Sequence, residues 1–366
     1  MGITHTIIPN LITINQTITN PYRMVSGDIN SQAIQWIRQN SHIYLCKYNS
    51  GVMYICQLGD SNSNYYYDGT SAVLTGDEGD VMMKLPTFFT KAEEVSSDIW
   101  DISFSTTKPD YTWMEWGTND LIGVYEGYVE NSMLYSKSGV VSIGNISQEK
   151  LKTYARNRGD GFTLTKWRHQ NIMAFLYYAM YGNTHCQNTI GFGTSFWTKA
   201  TGATDALGMT DTVAGGNGDS NSIKFWGLEN WWGNKLEWVD NVVVNPEQAN
   251  GLWRITEDDG TTRDVQGIKM NGYPTKMIIG QHLDVIPKGY GSASASASGY
   301  CDYVYTYSEE TNRVVRRSGD VDSSACGVAT SSAVYGDKYG DSHDGARLVY
   351  HGGIIEVKNV SEFKQL

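Results

Sequence analysis

Residues 225–240 read FWGLENWWGNKLEWVD, and four of these sixteen positions are Trp: Trp226, Trp231, Trp232 and Trp238. A Trp side chain buries on the order of 200 Å² and carries one N–H that seeks an acceptor. Four of them in so short a span pin a core together or build a platform for flat ligands. Gly233-Asn234 sits at the centre, and both residue types tolerate the positive φ of a tight turn. The stretch is therefore expected to be scaffold, carried by Trp226, Trp231, Trp232, Asn234 and Trp238. Direct stacking of a ligand on Trp231 or Trp232 is the alternative.

The surrounding composition fits a loop-rich, β-containing protein. In 366 residues, 40% are hydrophobic and only 18% charged, with 24 Tyr, 39 Gly and 7 Pro. So many aromatics at so little charge exclude a disordered chain. Net charge is −11 and dense Lys/Arg runs are absent, which argues against nucleic acid as the partner. Cys46, Cys56, Cys186, Cys301 and Cys326 are odd in number and contain no CxxC, so neither a disulfide framework nor a zinc site is indicated. The opening MGITHTIIPN is polar, without a basic, apolar leader pattern. No apolar run reaches membrane-spanning length. Synthesis in a cytoplasm is expected, without membrane insertion.

Along the chain, alternating strand-like runs fill the first part, with a hairpin turn at Asn49-Ser50-Gly51. A short helix is expected after Ser26-Gly27-Asp28, with Ile29, Ile34, Trp36 and Ile37 near one face. Texture changes at Asp80, so residues 1–79 are taken as a small β-rich module and 80–366 as the main domain. Ser147 caps a helix that stops near Gly159, and the run from Trp167 to Gly182 is the strongest helix, with an apolar face. Residues 200–222 read as a long Gly-rich loop, and Asp259-Gly260 as a hairpin turn. The Ser-Ala repeat within 289–300 reads as flexible or tightly turned. The expected class is α+β: loop-rich, with short strands and one or two main helices.

Several of these residues carry a resemblance. GLENWWGNKLEW, at Gly227, Leu228, Gly233, Asn234, Glu237 and Trp238, resembles a signature of the formylglycine-generating-enzyme branch of the C-type-lectin fold. GARLVYHGG, at Gly345, Arg347, His351 and Gly352, resembles that branch's final strand, with Ala346 and His351 in place of Phe and Arg. YGNTHCQNTIGFG, with Gln187, Gly191 and Gly193, looks like phage tail-fibre and receptor-binding proteins that use this fold. The variable proteins of diversity-generating retroelements are similar. The resemblance covers about residues 80–366. It implies a C-type-lectin-like domain, Arg347 as scaffold, and a candidate variable region at about 290–344.

Enzymatic members of the resembled family act through a close pair of cysteines near the last strand. Here no Cys follows Arg347, so the activity is not expected to carry over. His169, His185 and Cys186 match no standard metal spacing. Asp337, Asp341 and Asp344, like residues 217–221, lack the order of a calcium loop. No cofactor or metal is expected.

The segment 290–344 has instead the composition of a recognition surface, in which Tyr gives area at low entropic cost and small residues allow close approach. In YCDYVYTY (300–307), Tyr303, Tyr305 and Tyr307 share one strand face, opposite Val304. If Val304 points inward, the tyrosines point out; packing of the row against a neighbouring loop is the alternative. Tyr300, Asp302, Arg316, Arg317, Tyr335, Tyr339, Asp341, His343 and Asp344 complete the candidate ligand-binding set. The expectation is a phage virion receptor-binding protein, a homotrimeric fibre or tip that grips a bacterial surface glycan or protein. Residues 1–79 would attach it to other virion proteins. A structural head-fibre or tail decoration protein is the second reading, and an enzyme of the formylglycine-generating type the third.

Overall fold

In a computed structural model of the chain, which describes residues 10–117, 119–194, 199–215, 221–291, 298–319 and 327–366, the turn at Asn49–Gly51 is where the sequence puts it. Ser50 and Gly51 both have positive φ, at 52° and 86°, as a tight hairpin turn requires. His42–Asn49 pairs antiparallel with Val52–Gly59 and, on its other edge, with Asp80–Lys84. The sheet runs on through Asp120–Gly123 and Leu348–His351 to Phe162–Leu164. At the opposite side Gly353–Glu356 lies parallel to Val52–Gly59.

Both faces of this sheet are buried. Ile43, Leu45, Val81 and Met83 join one apolar cluster, while Tyr44, Cys46 and Met82 join a second on the other face. A strand sends successive side chains to opposite faces. With both faces covered, DVMMKLP reads as an unbroken apolar run rather than an alternating one.

The boundary expected at residue 79 is incorrect, because it falls inside this sheet. His42–Asn49 and Val52–Gly59 lie between strands contributed by residues 80–84 and 353–356. Asn10–Asn15 likewise joins Ile99–Ser105, Phe88–Ser96 and Met114–Trp116 in a five-stranded sheet. One apolar cluster runs from Ile12 to Phe363. The change of texture at Asp80 marks the end of a turn-rich stretch, not the edge of a core.

A third sheet, of eight strands, is built around Leu236–Val244, the strand that leaves the Trp-rich turn. Leu252–Thr256 and Thr262–Gln266 extend it on one side. Arg313–Ser318, Ser331–Ser332, Val304–Tyr305 and Asn271–Gly272 extend it on the other. Asp344–Gly345 adds a short parallel pairing to Leu236–Val244.

The helices carry the caps the sequence suggests. The Ser147 hydroxyl accepts from the Lys150 N–H at the start of Gln148–Arg156. Gly182, at φ 67°, ends Trp167–Tyr181 in the left-handed conformation that favours glycine. That long helix is buried all round rather than on one face. Its polar members are paired inside: Gln170 Nε2 donates to the Val328 carbonyl at 2.6 Å and Asn171 Nδ2 to Asp284 at 3.0 Å. The first helix begins later than expected, at Gln32 with Ser31 as cap, and buries Ile34 and Ile37 while Trp36 is exposed. Val360–Gln365 adds a closing helix that the sequence reading passed over. The chain is mixed α+β, mostly strands, with few helices and long loops. No helix among the described residues is long and apolar enough to cross a membrane.

These pairings make a direct test. A fragment of residues 80–366 loses the centre of one sheet and an apolar face of another. It is expected to lack a cooperative thermal transition and near-UV circular dichroism. A monodisperse fragment with native-like spectra would restore the boundary at residue 79.

Candidate functional site

The tyrosine row stands on the short strand Val304–Tyr305, which pairs with Asn271–Gly272 on one side and Ser331–Ser332 on the other. Val304 and Thr306 are fully buried, so the period of two turns their neighbours outward. Tyr305 is 38% exposed and Tyr307 62%. Tyr303 is half-buried. Its O–H donates to the Asn271 side-chain oxygen, and its ring meets Tyr273 edge to face at 5.2 Å. Tyr290, 64% exposed, donates to the Asn271 carbonyl at 3.2 Å. Asn271 thereby holds two tyrosines at the edge of the third sheet. Neither Asn271 nor Tyr290 was singled out from the sequence; the spacing of thirty-two residues between Asn271 and Tyr303 gives no local signal.

A second group of candidates lies elsewhere. Tyr335 and Tyr339 stack at 3.6 Å with planes 11° apart, half-buried against the second apolar cluster, which also takes Ile143 and Ile146 at its margin. The Tyr339 O–H donates to Asp341 at 3.0 Å. The His343 N–H donates to the same carboxylate at 3.1 Å. Asp341 is thus organised by its own loop, and these groups charge its pKa downward, led by the His343 N–H.

Burial removes other candidates from any ligand surface. Tyr300 is 1% exposed and donates to Gln16 at 3.0 Å. Arg316 donates to the fully buried Asp344 at 2.6 Å and to Ser332 at 3.0 Å. Arg317 bonds Glu237 and lies 3.3 Å above the centre of the Trp231 ring. Arg316, Arg317, Tyr300, Asp302 and Asp344 are therefore framework, not contact residues. Their composition matched a recognition surface, but each long-range partner lay far away in sequence.

Asp302 is the least comfortable of these. It is fully buried, and no hydrogen bond of normal geometry reaches either oxygen among the described residues. Burial pushes its pKa up to about 7, while the approach of the Ala329 N–H opposes the shift. The consequence has a definite sign. Below pH ~4 the group is protonated both folded and unfolded; between there and ~7 only the folded chain keeps the proton, so stability falls as pH rises. Asp302→Asn is expected to flatten that fall, gaining on the wild type by up to a few kcal/mol (on the order of three pKa units) between pH 5 and 8. Denaturant melts at both pH values measure it; parallel curves would show that Asp302 is ionised in the fold.

Beneath the surface sits the buried charge that the Trp-rich turn was built around. Arg347 is fully buried and uses its whole guanidinium. It grips Glu237 through Nε at 3.0 Å and Nη2 at 2.7 Å. It also donates to the carbonyls of Gly123, Val124, Glu229 and Asn230 at 2.6–3.1 Å. Glu237 takes Arg317 on its other side. Next to it Glu126 accepts from the Asn234 amide and from the Lys235 N–H. Burial, and then the Glu237 carboxylate, push Glu126 upward in pKa. Asn230 and Asn234 take positive φ, 48° and 60°, beside Gly227 and Gly233. At Gly233 a Cβ would stand 2.8 Å from the Gly193 Cα, so two backbones touch where both residues are glycine. All four tryptophans of the turn are buried. Trp226 donates to Ser41 and Trp232 to the Gly191 carbonyl, at 3.0 and 2.8 Å. The indole N–H groups of Trp231 and Trp238 have no partner among the described residues.

Removing one member of this network leaves a buried charge uncompensated, which costs about 3–5 kcal/mol. Arg347→Met is expected to lose stability on that scale in urea melts, and Glu237→Gln a similar amount. A loss below ~1 kcal/mol for both would mean that the network is not desolvated as drawn.

The other polar groups considered from sequence do not converge. His169 is buried against Asp120 at 3.3 Å, and the same carboxylate holds His351 at 2.6 Å. His185 stacks on Tyr22 at the surface, and Cys186 is buried. No group of three or more His, Cys, Asp and Glu side chains is placed to hold a metal among the described residues. Residues 217–220, the Ser-Ala run at 292–297, and Cys326 lie outside the described residues.

No protein-family model matches the chain, and no curated protein does. Among solved structures, it is similar to PvdO from Pseudomonas aeruginosa at 10% identity, over 77% of this chain and 100% of that one, with a TM-score of 0.31. At that distance neither a fold nor an activity carries over.

Proposed function

We propose that this chain is a receptor-binding protein of a bacteriophage particle, with a C-type-lectin-like main body, that grips a bacterial surface glycan or protein through outward-facing tyrosines. The observation that carries the reading is the row Tyr303, Tyr305 and Tyr307, turned out from a strand whose other face is buried, with Tyr290 brought beside it through Asn271. Tyr offers an apolar face and a polar tip with few rotors to freeze on binding. Two members are already tethered to Asn271, which lowers the ordering cost further.

The buried pairing of Glu237 with Arg347 supports the choice of body, since both positions belong to the motifs that carry the resemblance. His351 stands where that pattern has Arg, and Asp120 raises its pKa by accepting its hydrogen bond. Binding is favoured over catalysis because burial raises the pKa of the Cys46, Cys56, Cys186 and Cys301 thiols, and a protonated thiol is a poor nucleophile and ligand. Trimerisation would let several weak sites act together. With residues 10–79 built into the body, attachment falls to an exposed face; Tyr65, Tyr67 and Val73 present apolar area on one short segment.

Purified protein is to be screened on immobilised bacterial surface polysaccharides and outer-surface proteins. Tyr303→Ala, Tyr305→Ala and Tyr307→Ala together are expected to weaken capture at least ~tenfold, about 1.4 kcal/mol, with the thermal midpoint little changed. Undiminished capture by the triple variant, or no binding by the wild type to any surface, would sink the proposal.

A further inference from the structure

A cavity of about 110 Å³ opens between Met114–Trp116, the start of the helix Trp167–Tyr181, the hairpin of Leu252–Thr256 and Thr262–Gln266, and the turn at His282. Nothing in the tyrosine surface uses it. Met114, Trp116 and Ile255 line its apolar part. Trp116 sends its N–H to Thr90 at 2.7 Å, so its polar edge is already satisfied.

The remaining wall is a fixed array of donors and acceptors. Arg263 holds Asp284 through both Nη atoms, at 2.6 and 2.7 Å, and Glu257 through Nε at 2.6 Å. Arg168 donates to Asp258 at 2.8 Å. These pairs lock the guanidinium planes and leave N–H groups over, since each guanidinium has five. Asn171, at the inner wall and 1% exposed, spends its amide N–H groups on the His282 carbonyl and Asp284. Its side-chain oxygen has no partner among the described residues. His282 has its pKa lowered by burial and then by Arg263, which favours the neutral ring. A neutral imidazole both donates and accepts.

Charge narrows the ligand. Asp258, Asp284 and Glu257 already match Arg168, Arg263 and Lys166, which also pairs with Asp258. Glu115, which also lines the cavity, is exposed and is without an ion pair among the described residues, so an incoming anion finds no unmatched counter-charge and a cation only that solvated carboxylate, whose pull water screens. A hydroxyl is donor and acceptor at once, and adjacent hydroxyls fit a locked guanidinium–carboxylate pair. The space suits part of one ring rather than a chain.

We propose that this cavity is a binding subsite for one neutral sugar residue, with its hydroxyls on Arg263, Glu257 and His282 and its C–H face against Met114, the most accessible of the apolar lining residues. The proposal rests on the receptor-binding reading only for where the sugar comes from.

The test titrates the full-length protein with methyl glycosides of glucose, galactose, mannose, rhamnose and N-acetylglucosamine. N-acetylneuraminic acid and glucosamine serve as charged comparators, and ligand-observed NMR follows binding. At least one neutral glycoside is expected to bind in the range of roughly millimolar Kd. His282→Ala and Glu257→Gln, both partly exposed positions, should each weaken it about tenfold. Met114→Ala provides a check on the apolar wall and should weaken binding while keeping the fold. Absence of binding by every neutral glycoside, preference for a charged sugar, or affinity that survives His282→Ala and Glu257→Gln would each overturn the subsite. Loss of polysaccharide capture in the tyrosine variants with glycoside binding intact would support both sites; intact capture there would remove only the tyrosine reading.

Discussion

Arg347 is the constraint on which the rest is built. Its guanidinium joins the carbonyls of Gly123 and Val124 in one sheet, those of Glu229 and Asn230 in the Trp-rich turn, and Glu237 in another sheet. Desolvation offsets much of what such an ion pair gains, so its net contribution to stability is modest. Its effect is on choice among packings. Any arrangement that separates these three segments strands a charge and several carbonyls away from water, and is rejected on that account.

The irregular parts follow from that junction. The turn from Phe225 to Asp240 threads positive-φ Asn and Gly residues past one another, and Trp side chains fill the space that loops leave. With the frame held from inside, the strand Val304–Tyr305 can be short and still turn its tyrosines outward. The surface is thus defined by what is buried under it: Val304 and Thr306 fix the sense of the alternation, and Asn271 fixes two of the rings.

Local features were legible in the sequence for local reasons. The hairpin at Ser50-Gly51, the Ser147 cap and the Gly182 stop each depend on neighbouring residues and stand as read. The tyrosine row was legible because Val304 is a β-branched apolar residue in antiphase to it. Arg316 and Arg317 were not legible. Adjacent residues on a strand face opposite ways, yet each finds a buried carboxylate, Asp344 or Glu237, that only the tertiary fold brings near. The place of residues 10–79 was hidden for the same reason, since strand pairing across hundreds of residues leaves no mark on composition. Tyr300 shows the limit of counting tyrosines, because the same side chain serves a wet surface and a dry core.

One pairing carries a consequence for synthesis. Gly353–Glu356 lies parallel to Val52–Gly59, with Ile354 beside Met53. During translation the earlier strand leaves the ribosome long before its neighbour exists, and loop closure over so great a separation is slow. That edge stays open until the later residues emerge. A chain cut short before residue 353 keeps that strand edge unpaired, and an unpaired edge is a template for pairing with other chains.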